Sequence, residues 1–363
     1  MQATTPTREA VGPGYGHPQV IFFSELDGTE LLARLRDGGL ATYLATHGYG
    51  VALALYDFTP SLAEAVRVLN QRDVPVVAWL LLPPGEDFWF NLQNYPQAFA
   101  RYHRFRDWAR EHGLRFHAVG LNIAPPGSAI DQLQHGNMRH LARRLLRARD
   151  NVLYSAARNA YTDLVSEIRH DGYEVHTYQV PVVADDRRAG STLAQRVLDI
   201  VDIPADVEVL ICYSSVPLAA LEDDLGGALI ASYGPAADGI GVGVVDSAGS
   251  RARSIRGLPP LSWEALERDL ILASQFTDPI YVYSLEGCLE RGLLPRIAAI
   301  DWEAAPRVLA WKRSLVGAVR IALLIGLLLT RLSHTLIAWL GWALFALLLA
   351  RQLRAALRRH RSQ

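Results

Sequence analysis

The sequence predicts an α/β protein, a (β/α)8 TIM barrel followed by a C-terminal apolar helical hairpin. Three observations predict it. Strand-like and helix-like segments alternate eight times before residue 306. Several strand segments, such as 51–55 and 76–80, are apolar throughout, as expected of parallel strands buried on both faces. The alternation then stops at a basic, strongly apolar tail.

Residues 19–24 form the first predicted strand, and helix-like apolar spacing follows over 29–47, broken at Gly38-Gly39. The second strand is 50–57, with its helix at 61–72 and Ser61 as the N-cap, whose hydroxyl can accept from a free backbone N–H. Strand three is 75–82, and an aromatic-rich loop over 83–94 leads into a helix at 97–112. Strand four is 114–123. The helical stretch 137–170 is too long for one barrel helix, so a break is expected near 149–151. Strand five is 173–181, with a helix at 192–201. Strand six, 207–213, precedes helical pieces over 218–237 that are interrupted by Gly226-Gly227 and Pro235. Strand seven is 240–245, and the helix 262–276 has Ser262 as N-cap and Glu264 in its first turn, where a negative charge suits the helix dipole. Strand eight is 280–285, followed by a helical turn or two at 291–300.

A doubly wound open sheet is the competing topology. It would place a glycine-rich phosphate turn after an early strand, but Gly241 and Gly243 fall inside a strand. The domain plan is therefore a flexible segment at 1–18, the barrel at 19–306, a linker at 307–313, a membrane hairpin of two short helices at 314–350 and a basic tail at 351–363.

Composition narrows the function. The chain has 363 residues, half of them hydrophobic and 20% charged, which excludes a disordered or collagen-like protein. A net charge of −1 gives no reason to expect nucleic acid. The two cysteines, Cys212 and Cys288, lie in or just after apolar segments without a CxxC partner and read as buried free thiols. The eleven histidines are scattered and no HExxH occurs, so neither a metal nor a cofactor is expected. There is no GxSxG elbow and no P-loop. The first 18 residues lack the apolar core of a secretory signal.

Polar residues collect where the predicted strands end, and in a barrel those ends share one mouth. Glu286 and Asp57 are the candidate catalytic carboxylates. Tyr56, Trp89, Asn122, Tyr178, Gln179, Asp185, Tyr213 and Tyr283 are the candidate substrate-binding residues. Glu25, Asp27, Glu86, Asp87, Asp186 and Asp246 also fall just after strands. Rings stack on the apolar faces of sugars, amides bind hydroxyls, and a carboxylate pair divides acid and base work. Each group has a plainer reading as well. Asp57 can cap a helix, Asp185 and Asp186 can pair with Arg187 and Arg188, and Trp79 reads as core.

The runs "FHAVGLNIAPP", "YQVPVV" and "ICYSSVP", in that order, resemble the chitinase-type (family 18) glycoside hydrolases. In that family strand four carries D-x-x-D-x-D-x-E, whose last residue is the general acid, and strand six often carries M-x-Y. Laid on that pattern, His117, Gly120, Asn122 and Ala124 take the acidic positions, Ile211 takes the Met and Tyr213 matches the Tyr. The resemblance implies a barrel that meets a glycan or glycolipid. Ala124 cannot protonate a leaving group, so the family's acid does not carry over. Two readings follow: either Glu286, Asp57 or Asp185 supplies acid catalysis, or the barrel is a catalytically silent binding or scaffold module. A third, a phosphosugar lyase or isomerase, would use Arg251, Arg253 and Arg256 after strand seven.

In the tail, 314–330 is apolar except for Arg320, and 335–350 carries no charge. Each arm is about 24–25 Å long as a helix, a little under the roughly 30 Å hydrocarbon core. Residues 336–350 are apolar all round, unlike a soluble surface helix. A spanning hairpin and a re-entrant one both fit, and a hairpin packed on the barrel is the alternative. Lys312 and Arg313 precede the hairpin, and Arg351, Arg354, Arg358, Arg359 and Arg361 follow it. Positive flanks of this kind place the barrel on the cytoplasmic side of the cell membrane.

Overall fold

A computed structural model of the chain describes residues 17–37, 39–83, 88–126, 148, 151–246, 250, 255–332 and 342. Eight parallel strands close into a barrel in sequential order. They are β1 (Val20–Ser24), β2 (Gly50–Leu55), β3 (Val76–Leu80), β4 (Ala118–Ile123), β5 (Glu174–Gln179), β6 (Val207–Ile211), β7 (Gly239–Gly243) and β8 (Ile280–Tyr283). The ring shuts where Phe22 of β1 pairs with Val282 of β8.

Alternation along each strand explains the apolar runs. Ile21, Phe23, Ala52, Ala54, Val77, Trp79, Tyr178 and Tyr281 point into the barrel and fill it. Phe22, Val51, Leu53, Val76, Ala78 and Leu80 point outward, into the layer under the helices. Both faces of β1, β2 and β3 are buried, which accounts for their apolar runs. Gly120 on β4 faces inward, and a Cβ there would lie 2.6 Å from the Tyr178 hydroxyl. Its missing side chain is the space that the Tyr178 ring occupies.

The helices of the outer layer are α1 (Gly28–Asp37), α2 (Leu40–Thr46), α3 (Pro60–Asn70), α4 (Tyr95–Glu111), α5 (Leu153–His170), α6 (Val182–Arg188), α7 (Leu193–Leu198), α8 (Ser215–Leu221), α9 (Ala228–Tyr233), α10 (Trp263–Ser274), α11 (Leu285–Glu290) and α12 (Leu294–Ala298). Ser262 caps α10 as expected, its hydroxyl accepting from the Ala265 N–H at 3.2 Å. The cap of α3 is Thr59 and not Ser61: Thr59 Oγ1 accepts from the Leu62 N–H, and Pro60 takes the first helical position. Proline fits there because that N–H has no intrahelical partner. The expected helix at 61–72 therefore starts earlier. Helices α6 and α11 have no counterpart in the sequence reading, because each is too short to show a helical period. Helix α5 begins at Leu153, just past the expected break. The rest of that stretch, 137–150, lies outside the described residues except for Ala148.

After the barrel, a further helix, α13, runs over Ala310–Leu332 and is long and apolar enough to cross a membrane, with a mean hydropathy of 2.1. Val316 and Leu327 are buried, whereas Val319, Ile321 and Ile325 are 61%, 60% and 51% exposed, so among the described residues one apolar face of α13 is left uncovered. The expected second arm at 335–350, apart from Trp342, the basic tail, and the first 16 residues of the N-terminal segment lie outside the described residues.

Candidate functional site

The strand ends converge on a cleft of about 170 Å³ at the C-terminal mouth of the barrel. Trp89, Asn122, Tyr178, Gln179, Tyr213 and Tyr283, all expected there from the sequence, line it. Asn122 lies on β4 two residues beyond Gly120 and so shares its inward face. Ala124 follows two residues later and also lines the cleft. Trp79 projects inward from β3, and its ring stacks on Trp89 with centroids 5.8 Å apart and an interplanar angle of 20°. Phe23 packs against Trp79 at 4.7 Å and against Tyr178 at 4.8 Å, fixing the floor.

Three side chains here have polar atoms buried without a well-formed hydrogen bond to protein: the Trp79 indole N–H, the Tyr178 hydroxyl and both amide atoms of Gln179. Buried polar groups are nearly always satisfied, so these suit a ligand or ordered water. Among the described residues, no carboxylate lines the cleft.

The carboxylates gather in an adjoining cavity of about 230 Å³, between the ends of β1, β7 and β8. Glu25, Asp27, Asp246 and Glu286 line it, with Arg34 at its edge. Tyr283 lines both cavities and forms the wall between them. Its hydroxyl lies 2.6 Å from Glu25 Oε1 and 2.8 Å from Ser250 Oγ. Burial and the Glu25 carboxylate both hold the Tyr283 hydroxyl far above the ordinary range, so it remains a proton donor. Tyr56, expected as a binding residue, instead donates from its hydroxyl to the Glu25 carbonyl at 2.5 Å and holds the end of β1.

Glu286 sits in the first turn of α11. Its Oε1 accepts from Ser24 Oγ at 2.8 Å, Glu25 N at 2.5 Å and Leu26 N at 2.9 Å. The side chain thus ties the end of β1 to the start of α11. Its other oxygen, Oε2, is buried without a partner. Burial raises the pKa of the carboxyl, against the lowering effect of these donors.

The sequence expectation of one common pocket for Asp57, Asn122, Gln179, Tyr213 and Glu286 needs correction. Asn122, Gln179 and Tyr213 line the cleft, and Glu286 lies in the adjoining cavity. Asp57 is exposed at the end of β2 and lines neither. Asp185 is buried elsewhere: it accepts from the Tyr233 hydroxyl at 2.6 Å and pairs with Arg320 of α13 at 2.7 Å. It follows β5 by several residues, far enough for α6 to carry it outside the mouth. Glu86, Asp87, Arg251 and Arg253 lie outside the described residues. Arg256 donates to the Ser250 carbonyl at 2.9 Å.

Sequence reasoning undervalued Trp79 and Glu25 and did not single out Phe23 as a lining residue. For Phe23 and Trp79 the strand alternation carries the information, since both share the inward parity of their strands. Glu25 differs, because its importance depends on a contact with Tyr283, 258 residues away.

No family model matches this chain, and no curated protein sequence matches it. Solved structures with a similar fold include a GH18 chitinase from Pseudoalteromonas aurantia, 13% identical over 77% of this chain and 98% of that one, with a TM-score of 0.45. The PgaB glycoside hydrolase domain from Bordetella bronchiseptica is 12% identical over 79% of this chain and 99% of its own, with a TM-score of 0.44. A family 2 AP endonuclease from Brucella melitensis is 15% identical over 78% and 100%, also with a TM-score of 0.44. These likenesses extend across proteins of different activity.

Proposed function

We propose that the barrel binds a glycan or glycolipid in its mouth and acts as a binding module next to a membrane. The observation that carries this reading is the make-up of the cleft. Trp89, stacked on the buried Trp79, and Tyr213 provide aromatic surface at the cleft for a sugar ring, over a floor that includes Tyr178. Asn122 and the unpartnered Gln179 amide offer hydrogen bonds for hydroxyls. Ala124 stands in the cleft where the resembling family carries its general acid. The test is calorimetry with soluble glycan oligomers, using the whole chain in detergent. Saturable binding without release of reducing sugar supports the proposal; no binding across chemically diverse glycans would remove it.

A specific contact favours a second reading, hydrolysis. Tyr283 reaches from the cleft to the buried Glu25, and Glu286 is anchored to the Glu25 backbone. If a sugar displaces Tyr283, this pair provides acid and base groups. Under that reading Glu25→Gln abolishes turnover while binding persists.

We also assign α13 to the membrane, with the barrel on the cytoplasmic face. Its uncovered apolar face and the basic residues before and after the expected hairpin support this. Arg320 stands near the middle of α13 and is paired with Asp185. A full crossing would pull that pair apart, which favours a shallow helix lying along the membrane surface. Protease should then reach the barrel in inverted vesicles but not in intact spheroplasts.

A further inference from the structure

We propose that His117, Glu174 and His176 hold one zinc ion at the end of the barrel opposite the cleft. Glu174 and His176 are two residues apart on β5, so both side chains fall on its inward face. His117 immediately precedes β4, whose first residue, Ala118, pairs with Glu174. The pairing of β4 with β5 thus brings three ligating side chains together. Glu174 Oε2 lies 3.5 Å from His176 Nε2 and 3.9 Å from His117 Nε2. All three ligand atoms lie within 4.8 Å of one another.

Tetrahedral zinc with bonds of about 2.0–2.1 Å needs ligand atoms roughly 3.3–3.4 Å apart. Small rotations of Glu174 and His117 close the difference, and both have room because about half of each side chain is exposed. His176 is the independent pointer. It is 2% exposed, and its Nε2 faces the cluster, 3.5 Å from Glu174 Oε2 and without a well-formed hydrogen bond. Its Nδ1 is hydrogen-bonded to the Tyr281 hydroxyl, which fixes the ring with Nε2 toward the other two groups. Ligating histidines are commonly held in this way through their second nitrogen.

The nearby Asp206 carboxylate is already engaged by the Val175 N–H at 2.8 Å and by Arg169 at 3.0 Å, so it does not supply a fourth ligand. The fourth position faces solvent, where water can occupy it. Two imidazoles with one carboxylate suit zinc, while calcium and magnesium want oxygen alone. The N-terminal end of a barrel generally serves stability. The ion would clip β4 to β5 without taking part at the cleft.

The experiment is zinc titration of the full chain after chelator stripping, with a competing chromophoric chelator as the readout. One equivalent should bind, raise the thermal midpoint, and allow cobalt to replace it with the visible absorption of a low-coordinate site. Glu174→Gln and His117→Ala change exposed side chains, so they test the site without opening the core. Each should weaken zinc binding at least tenfold and abolish the thermal shift. Absence of stoichiometric binding, or wild-type affinity in either variant, overturns the proposal.

Discussion

Arg320 on the C-terminal helix points its guanidinium at Asp185, 2.7 Å away, and lies 3.8 Å over the ring of Tyr233. Asp185 is almost wholly buried, and Tyr233 donates to its other oxygen at 2.6 Å. Arg320, the exception in the otherwise apolar stretch 314–330, is therefore the hook that docks the arm on the barrel. Arg331 adds a second point by donating to the Ala189 carbonyl at 3.0 Å.

Removing Arg320 leaves a buried carboxylate with one hydroxyl donor. Arg320→Ala should cost about 3 kcal/mol of docking stability, in the range for breaking a buried pair. Limited proteolysis should then cut α13 away from a barrel that stays folded. The double variant Arg320→Leu with Asp185→Leu should recover much of the loss, because no charge is left buried. If the double variant were as loose as the single one, the pair would not be the docking contact.

Trp89→Ala removes one face of the stacked aromatic pair in the cleft. Glycan affinity should fall by roughly tenfold, about 1.4 kcal/mol. Thermal stability should change less than it does for Trp79→Ala, because Trp79 is a mid-strand core residue. Calorimetry and thermal melts on the same samples separate the two effects. Equal affinity in wild type and Trp89→Ala would exclude this ring as a platform.

Gly120→Ala introduces a Cβ 2.6 Å from the Tyr178 hydroxyl, and the ring, packed by Phe23 and Tyr281, has little space to retreat. Overpacking of this kind costs about 1–3 kcal/mol. Urea unfolding should show the loss. Glycan binding should also weaken, because Tyr178 lines the cleft. Unchanged stability would mean that the barrel interior yields more easily than its packing indicates.

The barrel was legible because burial on both faces of most strands leaves a strong mark, the unbroken apolar runs of β2 and β3. Trp89, Asn122, Tyr178, Gln179, Tyr213 and Tyr283 followed from one rule, that strand ends share a mouth. That rule assigns an end but not a direction, so it could not separate Tyr213 in the cleft from Asp57 in solvent. It also could not see that Glu286 hydrogen-bonds to the backbone of residues some 260 positions earlier. The His117, Glu174 and His176 group escaped for a related reason. The x-Glu-x-His spacing on β5 was visible, but its third member belongs to another strand, and only the pairing of β4 with β5 unites them.

Asp269 gives the last test, through pH. It is fully buried on α10, and burial pushes its carboxyl from the usual 3.8 up to about 6, despite the Arg268 guanidinium at 2.7 Å. The unfolded chain releases that proton near the ordinary value. Between about pH 4 and 6 the folded state therefore binds more protons than the unfolded state, so stability falls as pH rises, by up to about 1.4 kcal/mol per pH unit. Below that window the contribution is fully present, and above it the loss is complete and flat. Asp269→Asn cannot titrate and lacks this slope. Urea unfolding at half-unit steps from pH 4 to 7 should thus give a wild-type stability that drops relative to the variant up to about pH 6 and runs parallel beyond it. A difference that stays constant across the whole range would mean that Asp269 is already ionised in the folded protein at pH 4, with Arg268 outweighing its burial.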